Sequence, residues 1–244
     1  MNILRKIFIT LMVLAAWELL AWGGFLNPLL IGTPSMIVRA AMKDGVTLLV
    51  ALRFTFMEIL IAGMIAWISG VIAGVIIGAR VRTAVIVSPL LSAMIAVPLV
   101  VLYPVIVAWT GIGPISKIIY GAATGFFPIA LTTISGVSAI DQRYVDMARA
   151  MGANRFQIRF QVIARLALPA IMSGLRVGSS LVVIAVVQSE MLSATDGLGF
   201  WISYHRALFN VGQVYFGIGL VLVLAAGLNV LLNACENSLK IAHR

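Results

Sequence analysis

The chain predicts an all-α membrane protein with six transmembrane helices, and three observations carry that prediction. Of the 244 residues, 62% are hydrophobic and only 10% are charged, with a mean hydropathy of +1.11. A water-soluble domain carries about one quarter charged residues. Apolar runs of roughly the 20 residues that a helix needs to cross a bilayer recur along the chain, without the period-two alternation of strands. Basic residues collect in alternate connecting segments. In lipid a spanning segment must satisfy its own backbone, which leaves helices.

The spans run at about 5–23, 54–79, 84–109, 115–139, 168–192 and 211–235. The first follows Arg5 and Lys6. This start resembles a secretion signal, but no clean small-x-small cleavage site follows, and Trp17, Glu18 and Trp22 suit the end of a retained span at an interface. An amphipathic segment from Pro34 to Val50 separates it from the second span, which carries Gly63, Gly70, Gly74 and Gly78. The spacing of the last three, and of Gly174 and Gly178 in the fifth span, puts small residues on one face and predicts close helix packing. Pro89, Pro98 and Pro104 in the third span and Pro128 in the fourth predict kinks. With the N-terminus inside, eleven of the 17 Lys and Arg residues are cytoplasmic: Arg5, Lys6, Arg80, Arg82, Arg143, Arg149, Arg155, Arg159, Arg165, Lys240 and Arg244. Arg39, Lys43, Arg53, Lys117 and Arg206 lie outside, and Arg176 lies within a span. Both termini are therefore expected in the cytoplasm. No linker divides the chain, which reads as one membrane domain, 1–244.

Several chemistries are missing. No G-x-x-x-x-G-K-[ST] loop occurs, so the chain is not expected to bind or hydrolyse ATP. His205 and His243 lack ligand neighbours at metal spacing, and Cys235 in its apolar stretch reads as an inert small residue. Nothing resembles a hydrolase motif. The chain therefore reads as no enzyme, with no cofactor or metal of its own. The net charge of +9 flanks apolar runs and is not interleaved with exposed aromatics, which favours orientation in a membrane over nucleic acid.

Ionisable groups inside spans are costly and tend to be functional. Arg176, roughly 10 Å past Pro169 along a helix, reads as a structural tether or inner-gate contact, with snorkelling to the cytoplasmic interface as the alternative. Glu190, about 31 Å past the same proline, falls near the outer mouth, with Gln188 just before it on another face. Glu58 pairs most simply with Arg53 at the outer interface, and Glu18 faces protein or water. Between Ser193 and Asn210, Asp196-Gly197 marks a turn, and Trp201 with Tyr204 suits an interfacial helix.

The polar stretch from Asp141 to Pro169 holds five arginines, at 143, 149, 155, 159 and 165. Tyr144 to Met151 reads as a short helix ended by a left-handed Gly152. Asn154 then caps a second helix, with Phe156, Phe160 and Ile163 on one face and Arg155 and Arg159 on another. A helix–glycine–helix elbow that is both greasy and basic suits docking, and these features equally fit a loop that merely obeys the charge bias of cytoplasmic segments.

Asp146-Met147-Ala148, three residues, then Gly152 resembles the EAA loop of permease subunits in binding-protein-dependent ABC importers. Val162 stands at the family's Ile position, and Ala164-Arg165 replaces the expected Leu-Pro. Leu168-Pro169 follows four residues later, as in the sulfonate, nitrate and taurine branch. Pro169 to Arg176, Gln188-Ser189-Glu190, Gly197-Leu198-Gly199, Phe126-Phe127-Pro128, Gly111-Ile112-Gly113 and Gly32-Thr33-Pro34-Ser35 extend the similarity from Trp17 onward.

The resemblance implies a type I importer permease bundle in a bacterial cytoplasmic membrane, acting as a homodimer. It implies separate ATPase subunits carrying ATP and Mg, a periplasmic or lipid-anchored substrate-binding protein, contact with membrane lipid, and a small anionic cargo. Asp146, Ala148, Arg149, Gly152, Ala153, Asn154, Arg155, Phe156 and Arg159 would couple to the ATPase. Arg176, Gln188 and Glu190 would be gate or path residues, with outer-gate or loop-folding roles for the last two. The loop from Ser193 to Asn210 would help meet the binding protein. Two other classes stand beside this one: an ATP-independent secondary transporter or channel, and a lipid-binding scaffold.

Overall fold

A computed structural model describes residues 3–27 and 30–241, with the side chains of residues 3, 4, 7, 235 and 237–241 outside the description. The readings of Cys235, Lys240, His243 and Arg244 lie outside the described residues. Among the described residues the regular structure is helical throughout. By internal contacts the chain divides into two compact units, Met1–Thr55 with Glu190–Val223, and Phe56–Ser189 with Leu224–Arg244.

The first unit holds α1 (Ile3–Trp22), α2 (Pro34–Lys43), the start of α3 (Gly45–Gly78), the end of α10 (Leu168–Ser193), α11 (Leu198–Ala207) and the start of α12 (Val211–Ile241). Helix α2 starts where the sequence permits it. Thr33 caps it by accepting the Met36 N–H at 3.2 Å, and Pro34 occupies the first turn, where a missing N–H costs nothing. The Glu18 carboxylate accepts the Ser35 N–H and the Trp22 indole N–H, each at 3.1 Å. An acid in α1 thus meets the positive end of α2. Helix α3 starts at Gly45, so the amphipathic segment closes at Lys43 instead of running on to Val50.

The second unit is built on the rest of α3, α6 (Pro114–Ser138) and α10. Here the glycine pattern has its effect: a β-carbon at Gly70, Gly74 or Gly78 would overlap Ile129, Thr133 or Val137 of α6, and one at Gly174 or Gly178 would overlap Thr132 or Ile129. Gly63, by contrast, meets nothing closer than Trp67 at 4.0 Å and has no packing role of that kind. Half of the most apolar stretch of α6 and 56% of that of α10 are buried, against 6% in Val211–Ala234 of α12. Two helices are core and one is nearly bare.

Among the described residues four helices are long and apolar enough to cross a membrane, and a bent pair brings the number to five if it is taken as one span. In α1 the apolar stretch is the shorter Phe8–Trp22. The expected third span, 84–109, is not continuous. Helix α4 (Val81–Ala96) and a tight turn at Leu99–Leu102 leading into α5 (Tyr103–Thr110) meet at a 79° bend. Val97 is extended because Pro98 follows it, and Pro104 sits in the first turn of α5. Pro89 and Pro128 lie inside continuous helices. Of four prolines, one breaks the chain, one opens a helix and two are absorbed.

Candidate functional site

The elbow follows the local signals closely until its second half. Asp141 caps α7 (Gln142–Ala150) by accepting the Arg143 N–H at 2.9 Å. At its end Gly152 is left-handed, with φ +82°. Its N–H reaches Arg149 O at 2.9 Å, and the Ala153 N–H reaches Ala148 O at 3.0 Å. That pair of bonds is a Schellman motif, and Ala148 and Ala153 pack together on the buried cluster of Val75, Val137, Val145, Ile158 and Ile163. Both alanines therefore shape the bend. The Asp146–Arg149 pair, 3.1 Å apart, is mostly exposed, so its contribution is small.

Asn154 starts the next helix through a reciprocal capping box: it accepts the Gln157 N–H at 2.9 Å, and Gln157 accepts the Asn154 N–H at 2.8 Å. The short α8 (Arg155–Gln157) then widens into a π-helical stretch, Ile158–Ile163, before α9 (Ala164–Leu166) leads to α10. This changes the inward face. Ile158 and Ile163, five residues apart, are both buried, while Phe156 is 67% exposed and stacks on Phe160, with ring centroids 4.8 Å apart. Phe160 and Ile163 share that cluster and Phe156 stacks on Phe160, so the three residues keep to one side while Phe156 stays outside the buried part. Phe156, Met147 and Met151 are left as exposed apolar side chains on a polar elbow.

Elsewhere the structure finds partners that spacing did not reveal. Glu58 is buried and its carboxylate lies 2.5 Å from Lys117, itself 3% exposed. Arg53, the partner expected from sequence, is exposed; residues five apart fall on different faces of a helix. Two charges inside an apolar bundle are tolerable only as a pair. Arg176 forms an ion pair with Glu236 of α12. Gln188 accepts the Tyr120 hydroxyl at 3.0 Å. Glu190 is 1% exposed and sits at the start of α11. It accepts the Thr55 hydroxyl at 2.7 Å and the Gly199 N–H at 2.8 Å, while Thr55 accepts the Leu198 N–H at 2.7 Å. A carboxylate and a hydroxyl thus occupy the first two free N–H groups of the helix. Lys117, Thr55 and Glu236 carried no sequence signal beyond their being polar in apolar surroundings.

The family described as the inner membrane component of binding-protein-dependent transport systems matches residues 68–240. The chain belongs to that family. This permease is 28% identical over 234 residues to the taurine transport system permease protein TauC of Escherichia coli, covering 93% of this chain and 85% of that one. It is 33% identical over 152 residues to the riboflavin transport system permease protein RibX of Chloroflexus aurantiacus, 62% of this chain and 57% of that one. Aliphatic sulfonate and nitrate permeases are further relatives, which supports the sulfonate, nitrate and taurine branch. A chain in inward facing structures of the MetNI methionine ABC transporter matches 84% of the permease and 97% of its own length, with a TM-score of 0.66 at 18% identity. The fold is therefore of the type I importer kind. The permease is a multi-pass protein of the bacterial cytoplasmic membrane.

Proposed function

We propose that the permease forms, with a second copy of itself, the translocation path of an ATP-driven importer, and that the elbow couples it to a separate ATPase. The single observation that carries the coupling is the elbow's construction. A Schellman turn at Gly152 and a capping box at Asn154 hold Phe156, Met147 and Met151 outward beside Arg149, Arg155 and Arg159. A fixed bend presenting exposed apolar side chains on a cationic elbow is what a groove on a soluble partner can grip. Asp146, Ala148, Gly152, Ala153 and Asn154 shape the bend, and Phe156 with the two methionines makes the contact on a surface that Arg149, Arg155 and Arg159 render cationic.

In this reading six segments cross the membrane as one domain, with α1 completing the count and both termini cytoplasmic. ATP and Mg belong to the ATPase, whose cycle biases the bundle between openings, and a binding protein delivers cargo from outside. The names of the taurine, sulfonate and nitrate relatives support a small anionic cargo. Lys117 is taken up by Glu58, so Arg39, Lys43, Arg53 and Arg206 are the outer cations left for it. Glu190 folds the outer helix α11, Gln188 ties α10 to Tyr120, and Arg176 tethers α10 to α12.

Impermeant thiol labelling of Asn154→Cys, in a Cys235→Ala background, tests this in cells with permeabilised outer membranes. The expected result is no labelling until the inner membrane is opened. Labelling from outside would reject the topology. Consistent absence of an ATPase from gently solubilised permease would favour an ATP-independent transporter instead.

A further inference from the structure

A cavity of about 510 Å³ opens between the α3–α4 turn and the elbow. Arg80, Arg149, Arg155 and Arg159 line it, and among the described residues no carboxylate does. Asp146 offsets Arg149 from the side, leaving a concentrated positive charge. Guanidiniums gathered around one concavity repel one another unless an anion sits among them, and their planar forks suit phosphate oxygens. The volume lies within the range of small-molecule sites and is larger than a bare phosphate requires.

The wall supplies the second clue. Arg80 and Val81 belong to the turn that ends α3 and begins α4, where two apolar helices come to the membrane surface. From there α4 continues with Val81, Val85 and Ile86 exposed to the surroundings. A cationic concavity is thus continuous with an apolar helix face. A molecule carrying a phosphate beside acyl chains matches both at once, whereas a free anion would use only the first.

We propose that this cavity binds the headgroup of an anionic phospholipid of the cytoplasmic leaflet, with the phosphate among Arg80, Arg149, Arg155 and Arg159 and the acyl chains along α4. The proposal rests on the cytoplasmic placement of the elbow given above. It gives the elbow two faces: Phe156 and the exposed methionines for the ATPase, and the inner arginines for lipid. A bound headgroup would brace the bend against the spans it must move.

The test titrates fluorescent phosphatidylglycerol into the delipidated full-length permease in mild detergent, with phosphatidylcholine and inorganic phosphate as competitors. Arg80 is exposed and makes no cap hydrogen bond, so Arg80→Gln should fold normally, and Arg80→Lys keeps the charge. Removing one arginine should weaken phosphatidylglycerol binding about five-fold, and Arg80→Gln with Arg159→Gln about 25-fold, while Arg80→Lys stays near the parent. Phosphatidylcholine should compete poorly. Unchanged affinity in the double variant overturns the proposal, as does equal affinity for phosphatidylcholine. Displacement by low millimolar phosphate assigns the cavity to a soluble anion and overturns the lipid. Loss of the ATPase from Arg80→Gln with lipid affinity intact assigns it to the ATPase surface and overturns it too. Failure of the unaltered permease to hold an ATPase bears only on coupling, because the lipid titration needs no partner.

Discussion

Gly152 and Gly197 both hold left-handed backbone ahead of a helix, at φ +82° and +104°, yet their surroundings differ. Around Gly152 a β-carbon would meet nothing within 4 Å, and the following helix is capped by Asn154 and Gln157, all within six residues and exposed or half-exposed. At Gly197 a β-carbon would run into the Glu190 carboxylate, which with Thr55 of α3 caps the following helix from buried positions. One helix start is written in contiguous sequence. The other exists only when segments 135 residues apart have come together. The first is set by its own neighbours in the chain, which suits a coupling element; the second is part of the bundle's own stability.

That contrast can be broken most forcefully at Gly197. Gly197→Ala should combine backbone strain with displacement of a buried carboxylate, a loss of roughly 3 kcal/mol or more. Thermal unfolding in detergent should show a sharply lowered midpoint or no folded protein. A midpoint equal to the parent's would mean that the Glu190 cap is dispensable.

Gly152→Val should cost less stability, about 1–2 kcal/mol and confined to the elbow, because only backbone conformation opposes it. Membrane abundance should stay near normal while ATPase co-purification and solute uptake fall. Normal uptake would reduce the elbow to a charged loop. Asn154→Ala sharpens the same point: it removes one cap, about 1 kcal/mol, without forcing the bend. Uptake should drop only partly, and hydrogen exchange should rise at 155–158 and not in α10.

The smallest effect concerns His205 on α11. Partial burial holds its imidazole below the usual value, with Lys43 adding to the effect and Asp44 opposing it. Because the folded state binds the proton less readily than the unfolded chain, stability should be constant above about pH 6.5. It should decline as pH falls below that toward the folded value. His205→Gln should flatten the profile of melting temperature against pH; an unchanged slope would locate the titration elsewhere.

Local chemistry was legible wherever the interacting residues are neighbours in the chain. The left-handed Gly152, the Asn154 cap and the bend at Pro98 follow from what those residues can and cannot do with their own backbone. The apolar runs required helices because hydrocarbon cannot solvate peptide groups, and the four-residue glycine spacing marked the faces on which α3 and α10 meet α6. The π-helical stretch after Gln157 left no such mark, since it reflects how Ile158 and Ile163 reach one cluster together.

Composition, apolar run length and the charge bias thus determined by themselves that this chain is a helical membrane protein, and the EAA-like residues pointed to its family. Only the tertiary structure decided who neutralises whom: Lys117 with Glu58, Arg176 with Glu236, and Glu190 with Thr55 and the start of α11. The physical reason is dielectric. A buried charge must find a partner wherever packing brings one, and that partner's place in the chain is set by the crossing of helices, which no local pattern encodes.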